Sequence, residues 1–329
     1  MHDRFPKYPM AAVCVLLALC GCAPTAYKIT PVPADRSLEE TTLIDEGGFS
    51  PAKIVLIDVE GLIINSRRFS LLGEGEQPVS LFTEKLDKAA RDPSVKGLVL
   101  RIDSPGGTVT ASDLMYTELL RWKEKTGRPV YAVQMDVAAS GAYYLCCACD
   151  RIFANRTTVT GSIGVIMQMV NFRGTMSKIG VEAEAIKSGE MKDAGSPLRR
   201  MLPKERELFQ ELVNGFYDRF VEVVATGRNM PEEKVREVAD GRVYSAQQAL
   251  ELGFIDQIGT LREALACMKE QIDARRVKVV TYQRPLGYKP NIYAEAPAGP
   301  AQVNMLNIQI PNGLVNLEPQ FLYLWSPGM

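Results

Sequence analysis

The chain of 329 residues is 46% hydrophobic and 23% charged, with a formal net charge of −1. That is the make-up of an ordinary globular protein with length for one large core. Near-neutral charge excludes the basic surface by which nucleic-acid-binding proteins are read. A single histidine, His2, narrows the available hydrolytic chemistry before any motif is considered.

Residues 1–21 differ from everything after them. Arg4 and Lys7 precede the apolar run MAAVCVLLAL, Met10 to Leu19, and small residues follow. A basic start, a run of about ten apolar residues and small residues before a cut make a secretory signal. The run is too short for a bilayer span, which takes about twenty residues. Leu19-Cys20-Gly21-Cys22 resembles a bacterial lipobox, whose last cysteine becomes the lipidated N-terminus; an ordinary signal peptide with incidental cysteines is the alternative. More than one acyl chain on Cys22 would hold the protein durably on a membrane, implying an exported lipoprotein facing the periplasm or the outer surface. Cutting there also removes His2. The mature chain then has no imidazole, and neither a Ser-His-Asp triad nor a Cys-His dyad can form.

The remaining cysteines, Cys146, Cys147, Cys149 and Cys267, lack paired metal-ligand spacing and have no histidine to complete a zinc site. No metal or other cofactor is expected. They read as small buried side chains, with a disulfide from Cys267 to one of the other three left open.

Residues 22–51, polar and with several prolines, read as a membrane tether. KIVLIDVEGLI, Lys53 to Ile63, is β-rich. A helix around Leu81 to Ala90 leads through Asp92-Pro93 to GLVLRID, Gly97 to Asp103, an apolar run suited to a strand buried on both faces. Ser104-Pro105-Gly106-Gly107 follows, then a helix carrying Leu114, Met115, Leu119 and Trp122, stopped by Gly127 and Pro129. Val130 to Met135 is the next strand, DVAASGAYYLCCACD (Asp136 to Asp150) opens the next helix, and Arg151 to Ala154 is a further short strand.

This alternation predicts an α/β domain with a parallel sheet and flanking helices. Such sheets bind ligands at the carboxyl ends of their strands, where both SPGG and Ser140 fall. A long amphipathic helix from Leu202 to Ala225, with Phe209, Leu212, Val213, Phe216, Phe220 and Val223 on one face, should end at Gly227. Ser245 to Gln248 reads as a capping box. The tail beyond about residue 285, ending FLYLWSPG, should be extended and dock on this chain or a neighbour.

Acyl transfer needs a nucleophile, a base and donors for the oxyanion. Ser140, at a strand-to-helix turn, is the candidate nucleophile, because the helix start supplies N–H groups and a favourable dipole; the competing reading is a plain helix cap. The glycines of SPGG allow close backbone approach and can aim an N–H inward, though a tight loop has the same sequence. Without histidine the base must be lysine, which loses its proton more readily when desolvated. IKSGEMKDAGSP, Ile186 to Pro197, offers Lys187 and Lys192, and residue chemistry does not choose between them. The SxxK match at Ser50 to Lys53 precedes a strand and contains Pro51, and GxSxG fails at Ser140, flanked two away by Ala138 and Ala142.

DSPGG, MDVAASGAYY, TGSIGVI, KSGEMKDAGSP and ADGRVYSAQQALELGFID, in this order, resemble the signal peptide peptidase A family, bacterial membrane-associated Ser-Lys peptidases of the ClpP/crotonase-like fold. The resemblance covers about residues 52–275. It implies Ser140 as nucleophile, Lys192 as general base, backbone N–H groups of Gly107 and Ser140 as the oxyanion hole, and Ser162 as the group orienting the lysine. It also implies the division 1–21 signal, 22–51 tether, 52–275 peptidase domain and 276–329 C-terminal extension. Half-length members of the family form closed rings with serine and lysine from neighbouring subunits, so the resemblance implies a homo-oligomer of about eight. The implied activity is endoproteolysis of cleaved signal peptides and other short or unfolded apolar segments. The competing expectations are a catalytically silent membrane-tethered scaffold that binds peptides or proteins, and crotonase-like acyl-CoA chemistry, which fits poorly with export.

Overall fold

A computed structural model of the protein describes residues 37–66, 76–284 and 320–325. The expected signal segment and Cys22 lie outside these residues. No described helix is long and apolar enough to cross a membrane.

The β-rich runs build one large sheet. Its strands are β1 (Glu39–Asp45), β2 (Ala52–Glu60), β3 (Val95–Ser104), β5 (Val130–Ala139), β6 (Arg151–Ala154), β7 (Val159–Gly161), β9 (Val243–Ser245), β10 (Gln257–Ile258) and β11 (Val277–Gln283). Strand order is β1-β11-β2-β3-β5-β6-β10, with β7 pairing β5 and β9 beyond it. Only β1 with β11 and β7 with β9 are antiparallel. A second, three-stranded antiparallel sheet has β12 (Gln320–Leu324) between β4 (Gly106–Thr108) and β8 (Ile166–Gln168).

The helices that cover the sheet are α1 (Pro78–Arg91), α2 (Val109–Thr126), α3 (Gly141–Cys146), α4 (Arg173–Lys178), α5 (Pro203–Arg228), α6 (Glu232–Val238), α7 (Ala246–Glu251) and α8 (Leu261–Gln271). Side chains alternate across a strand, and the core divides accordingly. Val55, Ile57, Leu98, Leu100 and Ala132 pack with α1, α2, α3 and the end of α5, while Ile54, Leu56, Val99, Tyr131 and Val133 pack with α8.

The expected α/β class with a mostly parallel sheet is the observed one. Three expectations need correction. First, the tether does not reach residue 51: Glu39–Asp45 is already an edge strand, registered from Glu39↔Gln283 to Asp45↔Lys278. Second, residues 276–284 are no extension, because β11 lies inside the sheet between β1 and β2; farther on, β12 docks on this same chain.

Third, α5 does not end at Gly227. A Cβ there would stand 2.2 Å from the Cys147 carbonyl oxygen, so the glycine permits close backbone packing, and Asn229, left-handed at φ 50, terminates the helix. The apolar face of α5 is buried from Phe220 onward, whereas Leu208 and Leu212 are 39% and 41% exposed. The disulfide left open by the sequence does not form: all four described cysteines are free. Cys146, Cys147 and Cys149 belong to one core and Cys267 borders the other, so the sheet separates them. Burial pushes the Cys146 thiol up to about 12, keeping it protonated.

Candidate active site

The site is made by two backbone turns at the carboxyl edge of the sheet. β3 and β5 run in register to Ile102↔Gln134, then slip so that Ser104 faces Ala138. The slip gives β5 extra residues, and hydrogen bonds from neighbouring side chains hold this bulge. The Asp103 carboxylate accepts the Val137 N–H at 3.1 Å, the Thr158 hydroxyl donates to the Met135 carbonyl at 2.5 Å, and Asn155 Nδ2 donates to the Gln134 carbonyl at 2.9 Å. β5 then pairs with β7, ending at Ala139↔Gly161.

Ser140 comes next, with φ 55 and ψ −117. A non-glycine residue in such a region costs on the order of 1–3 kcal/mol and persists only where its surroundings impose it. Here they do: the Ser140 N–H donates to the Gly161 carbonyl at 2.7 Å, and its carbonyl accepts the Tyr144 N–H at 2.9 Å to start α3. Ser140 makes no side-chain cap bond, so the cap reading does not describe it. Although GxSxG is unmatched, the local form is that of a nucleophile elbow, a sharp strained strand-to-helix turn. Its neighbour must be glycine, because a Cβ on residue 141 would lie 2.2 Å from the Ser112 Oγ.

The second turn is Ser104 to Gly107. The Ser104 hydroxyl accepts the Gly106 N–H at 3.1 Å, and Gly106 has φ +96. The two glycines are packed against main chain on both sides. A Cβ on Gly107 would stand 1.9 Å from the Ile63 oxygen, and one on Gly106 would stand 2.7 Å from the Gly141 nitrogen. SPGG and the Ser140–Gly141 turn are therefore directly apposed.

The Ser140 N–H, expected as an oxyanion donor, donates to the Gly161 carbonyl at 2.7 Å. The next nitrogen, that of Gly141, opens α3 and lies beside the SPGG turn, 2.7 Å from where a Cβ on Gly106 would stand. The first N–H groups of any helix lack intrahelical partners, a signal already present in the residue that follows the serine.

Ser162 sits one residue beyond Gly161, buried, with φ 51. Its N–H donates to the Arg242 carbonyl at 2.8 Å. Because Ala139 and Gly161 are partners in parallel strands, Ser140 and Ser162 leave adjacent strands at the same level.

The lysines are placed differently. A 3₁₀ turn, Glu190–Asp193, carries Lys192 outward at the end of an exposed run. Lys187 is tied down: its Nζ contacts Asp193 Oδ1 at 2.5 Å and the Glu190 carbonyl at 3.2 Å. Lys192 is exposed, and its side chain makes no hydrogen bond or ion pair with any described residue. Within one chain Ser140 is 1% exposed and no hydrogen bond joins it to Lys192.

Holding this turn is a network that the sequence reading missed. Arg199 donates to both Asp193 oxygens, Nε to Oδ2 at 2.7 Å and Nη2 to Oδ1 at 2.7 Å, and also pairs with buried Glu205. Glu205 in turn accepts the Leu202 N–H at 2.8 Å, capping α5. Hydrogen bonds from Arg199 hold both the Asp193 and Glu205 carboxyls below the usual carboxylate range.

A serine on a strained strand-to-helix turn, with glycine turns bringing backbone N–H groups beside it, is the arrangement of a serine hydrolase that works by acyl transfer. Comparison with known proteins narrows the class. The description "Peptidase family S49" matches residues 123–275. A protein of Enterococcus faecium named as a signal peptide peptidase SppA is 39% identical over 248 residues, covering 75% of this chain and 71% of that protein. A Synechocystis protein named as a protease is 40% identical over 235 residues, covering 71% of this chain and 80% of that protein. Among solved structures, a ClpP1 mutant from Listeria monocytogenes aligns with a TM-score of 0.42 at 15% identity, covering 64% of this chain and 94% of that one. The chain belongs to peptidase family S49. It is a serine peptidase.

Proposed function

We propose that the protein is a membrane-anchored endopeptidase working with a Ser140–Lys192 dyad, and that it clears remnant signal peptides and other short or unfolded apolar segments. Ser140 attacks the peptide carbonyl. Lys192, uncharged, takes the hydroxyl proton and passes it to the leaving amine. The N–H groups of Gly107 and Gly141 receive the developing oxyanion, Ser162 orients the lysine, and water then clears the acyl-enzyme. Anchoring is through lipid on Cys22, with the site facing the periplasm or outer surface.

The observation that carries the dyad is the contrast between the two lysines of one loop. Lys187 is bound to Asp193, whereas Lys192 is exposed and its side chain has no partner among the described residues. A base displayed outward while its nucleophile is buried fits a closed ring in which each lysine serves the adjacent copy. Exposed apolar residues in the segment that carries Lys192 fit the same assembly, among them Ile186 at 103%, Ile179 at 70% and Leu198 at 43%.

The test is mass spectrometry of peptide products from the purified oligomer beside Ser140→Ala, Lys192→Ala and Lys187→Ala. The first two variants should retain their circular dichroism and lose turnover, while Lys187→Ala keeps it. Turnover retained in Lys192→Ala and lost in Lys187→Ala would reassign the base.

A further inference from the structure

The sheet has a second edge, opposite the site. Strands β2, β3, β5, β6 and β11 begin there, and α1, α2 and α8 end there. Ser140 follows the far end of β5, so about 30 Å of strand separates this edge from the nucleophile. Basic residues close the helices, Lys123 and Lys125 on α2 and Lys269 on α8, where they offset the negative ends of the helix dipoles. That account does not extend to Arg275, Arg276 and Lys96, which stand at the starts of β11 and β3. All three are exposed, and none makes a hydrogen bond or ion pair with a described residue. Several carboxylates here are already neutralised, Glu46 by Lys269, Asp92 by Lys53 and Asp150 by Lys123, each at 2.8 Å. Asp45, Glu124, Glu270 and Asp273 are the exposed carboxylates left over. Between the end of α2 and the starts of β5 and β6 the edge also opens into a cavity of about 500 Å³, whose lining includes Lys123, Arg128, Tyr131 and Arg151.

On the same edge the turn from β1 to β2 holds Phe49 wholly in solvent, 105% exposed. Gly47 at φ 73, Gly48 at φ 112 and Ser50 at φ 58 shape the turn. It is braced from behind. Glu46 accepts the Val277 N–H at 2.9 Å, and Arg276 lies along the turn, its Cδ 3.2 Å from where a Cβ on Gly48 would stand. A lone exposed apolar side chain is ordinary. A phenylalanine on a braced turn beside unpaired arginines combines the two attractions that hold a protein on a lipid surface, apolar burial among the headgroups and positive charge toward anionic lipid.

We propose that this edge is the face by which the protein lies on a bilayer of anionic phospholipid, with Phe49 entering the headgroup layer and Arg275, Arg276, Lys96 and the cavity at Arg128 and Arg151 meeting lipid phosphates. This rests on the membrane anchoring proposed above and names the face that meets the lipid. The chain length allows it. β1 carries the backbone to this edge over seven residues, about 24 Å, and the fifteen residues from Cys22 to Ser37 reach about 50 Å when extended. Ser140 then opens away from the lipid, so peptides reach it from the aqueous side after leaving the bilayer.

The experiment uses the full chain, reconstituted in vesicles of phosphatidylcholine alone or of phosphatidylcholine with phosphatidylglycerol, and follows amide hydrogen exchange by mass spectrometry. Amides of residues 46–50 should exchange about tenfold more slowly on the anionic vesicles than on the neutral ones. Phe49→Ser and Arg275→Glu/Arg276→Glu should each lose that protection. Both should cleave peptides in detergent at the wild-type rate, which shows that they are folded. Equal exchange of residues 46–50 on the two vesicles would overturn the inference, as would protection of residues 61–66 at the opposite edge; either result leaves the anchoring intact. Slow exchange already present in detergent and growing with protein concentration would give the face to a second copy and overturn it too. Recovery of the protein with neither vesicle on flotation would overturn the anchoring itself.

Discussion

At the scale of single residues, the site depends on backbone conformations that its side chains do not favour. Ser140 is held at φ 55 by the Gly161 carbonyl on one side and the start of α3 on the other. Glycine occupies such a region without steric cost. Ser140→Gly should therefore abolish peptide cleavage while raising stability by about 1 kcal/mol, within the range of such strain; a thermal melt beside a product assay checks both. A midpoint that falls would mean the serine is not strained. Gly141→Ala should instead lower stability. Its Cβ would meet the Ser112 Oγ at 2.2 Å, and Ser112 is fixed by donating to the Thr108 carbonyl at 3.0 Å, so the α2–α3 contact must open. The expected result is a melting point lower than wild type, together with lost turnover. Ser112→Ala/Gly141→Ala, which removes the clashing oxygen, should recover most of the stability.

At the scale of elements, the turn bearing Lys192 is positioned by Arg199, which joins it to the N-terminus of α5. Arg199→Ala would release Asp193 and leave buried Glu205 without its cation, and a buried charge stripped of its partner is strongly destabilising locally. Turnover should fall roughly tenfold or more with KM nearly constant, the pattern of a lost transition-state contact, and Arg199→Lys should restore part of it. Acid should mimic the variant. The Asp193 and Glu205 carboxyls titrate lower folded than unfolded, so their stabilisation is complete above the ordinary carboxylate range and is lost as pH falls below it. Limited proteolysis between residues 179 and 200 should accelerate as pH drops below about 4, and in Arg199→Ala should be fast throughout. None of this network was legible in sequence, because its members meet only once α5 is placed, although Glu205 three residues after Leu202 is a capping spacing. The same rule separates what was read from what was missed elsewhere. Strands β2, β3 and β5 and their turns and helices could be read because each unit is local. β1 and β11 could not, because each is defined by pairing with residues far along the chain, and β12 was legible only as an extended, docking segment whose partner strands lie far away. Gly227 was misread as a stop because the Cys147 carbonyl that demands it belongs to the C-cap of α3, far away in sequence.

At the scale of the whole molecule, Ser140 is buried and Lys192 faces outward, so a catalytic unit made of adjacent copies gives a prediction that no intramolecular dyad shares. Ser140→Ala supplies lysine but no nucleophile, and Lys192→Ala supplies the nucleophile but no lysine. Each alone should be inactive. Unfolded together in equal amounts and reassembled, they should form mixed rings in which a given site has an intact serine half the time and an intact neighbouring lysine half the time. Recovered turnover should then approach about one quarter of wild type, the value for a head-to-tail interface with random neighbours. The recovery should also fade on dilution as rings dissociate. The measurement needs only the two variants, a size-exclusion profile showing assembled particles, and the peptide assay. Mixed rings of normal size with no recovered activity would place both catalytic groups within one chain, and the exposed position of Lys192 would then need a loop closure in place of a neighbour.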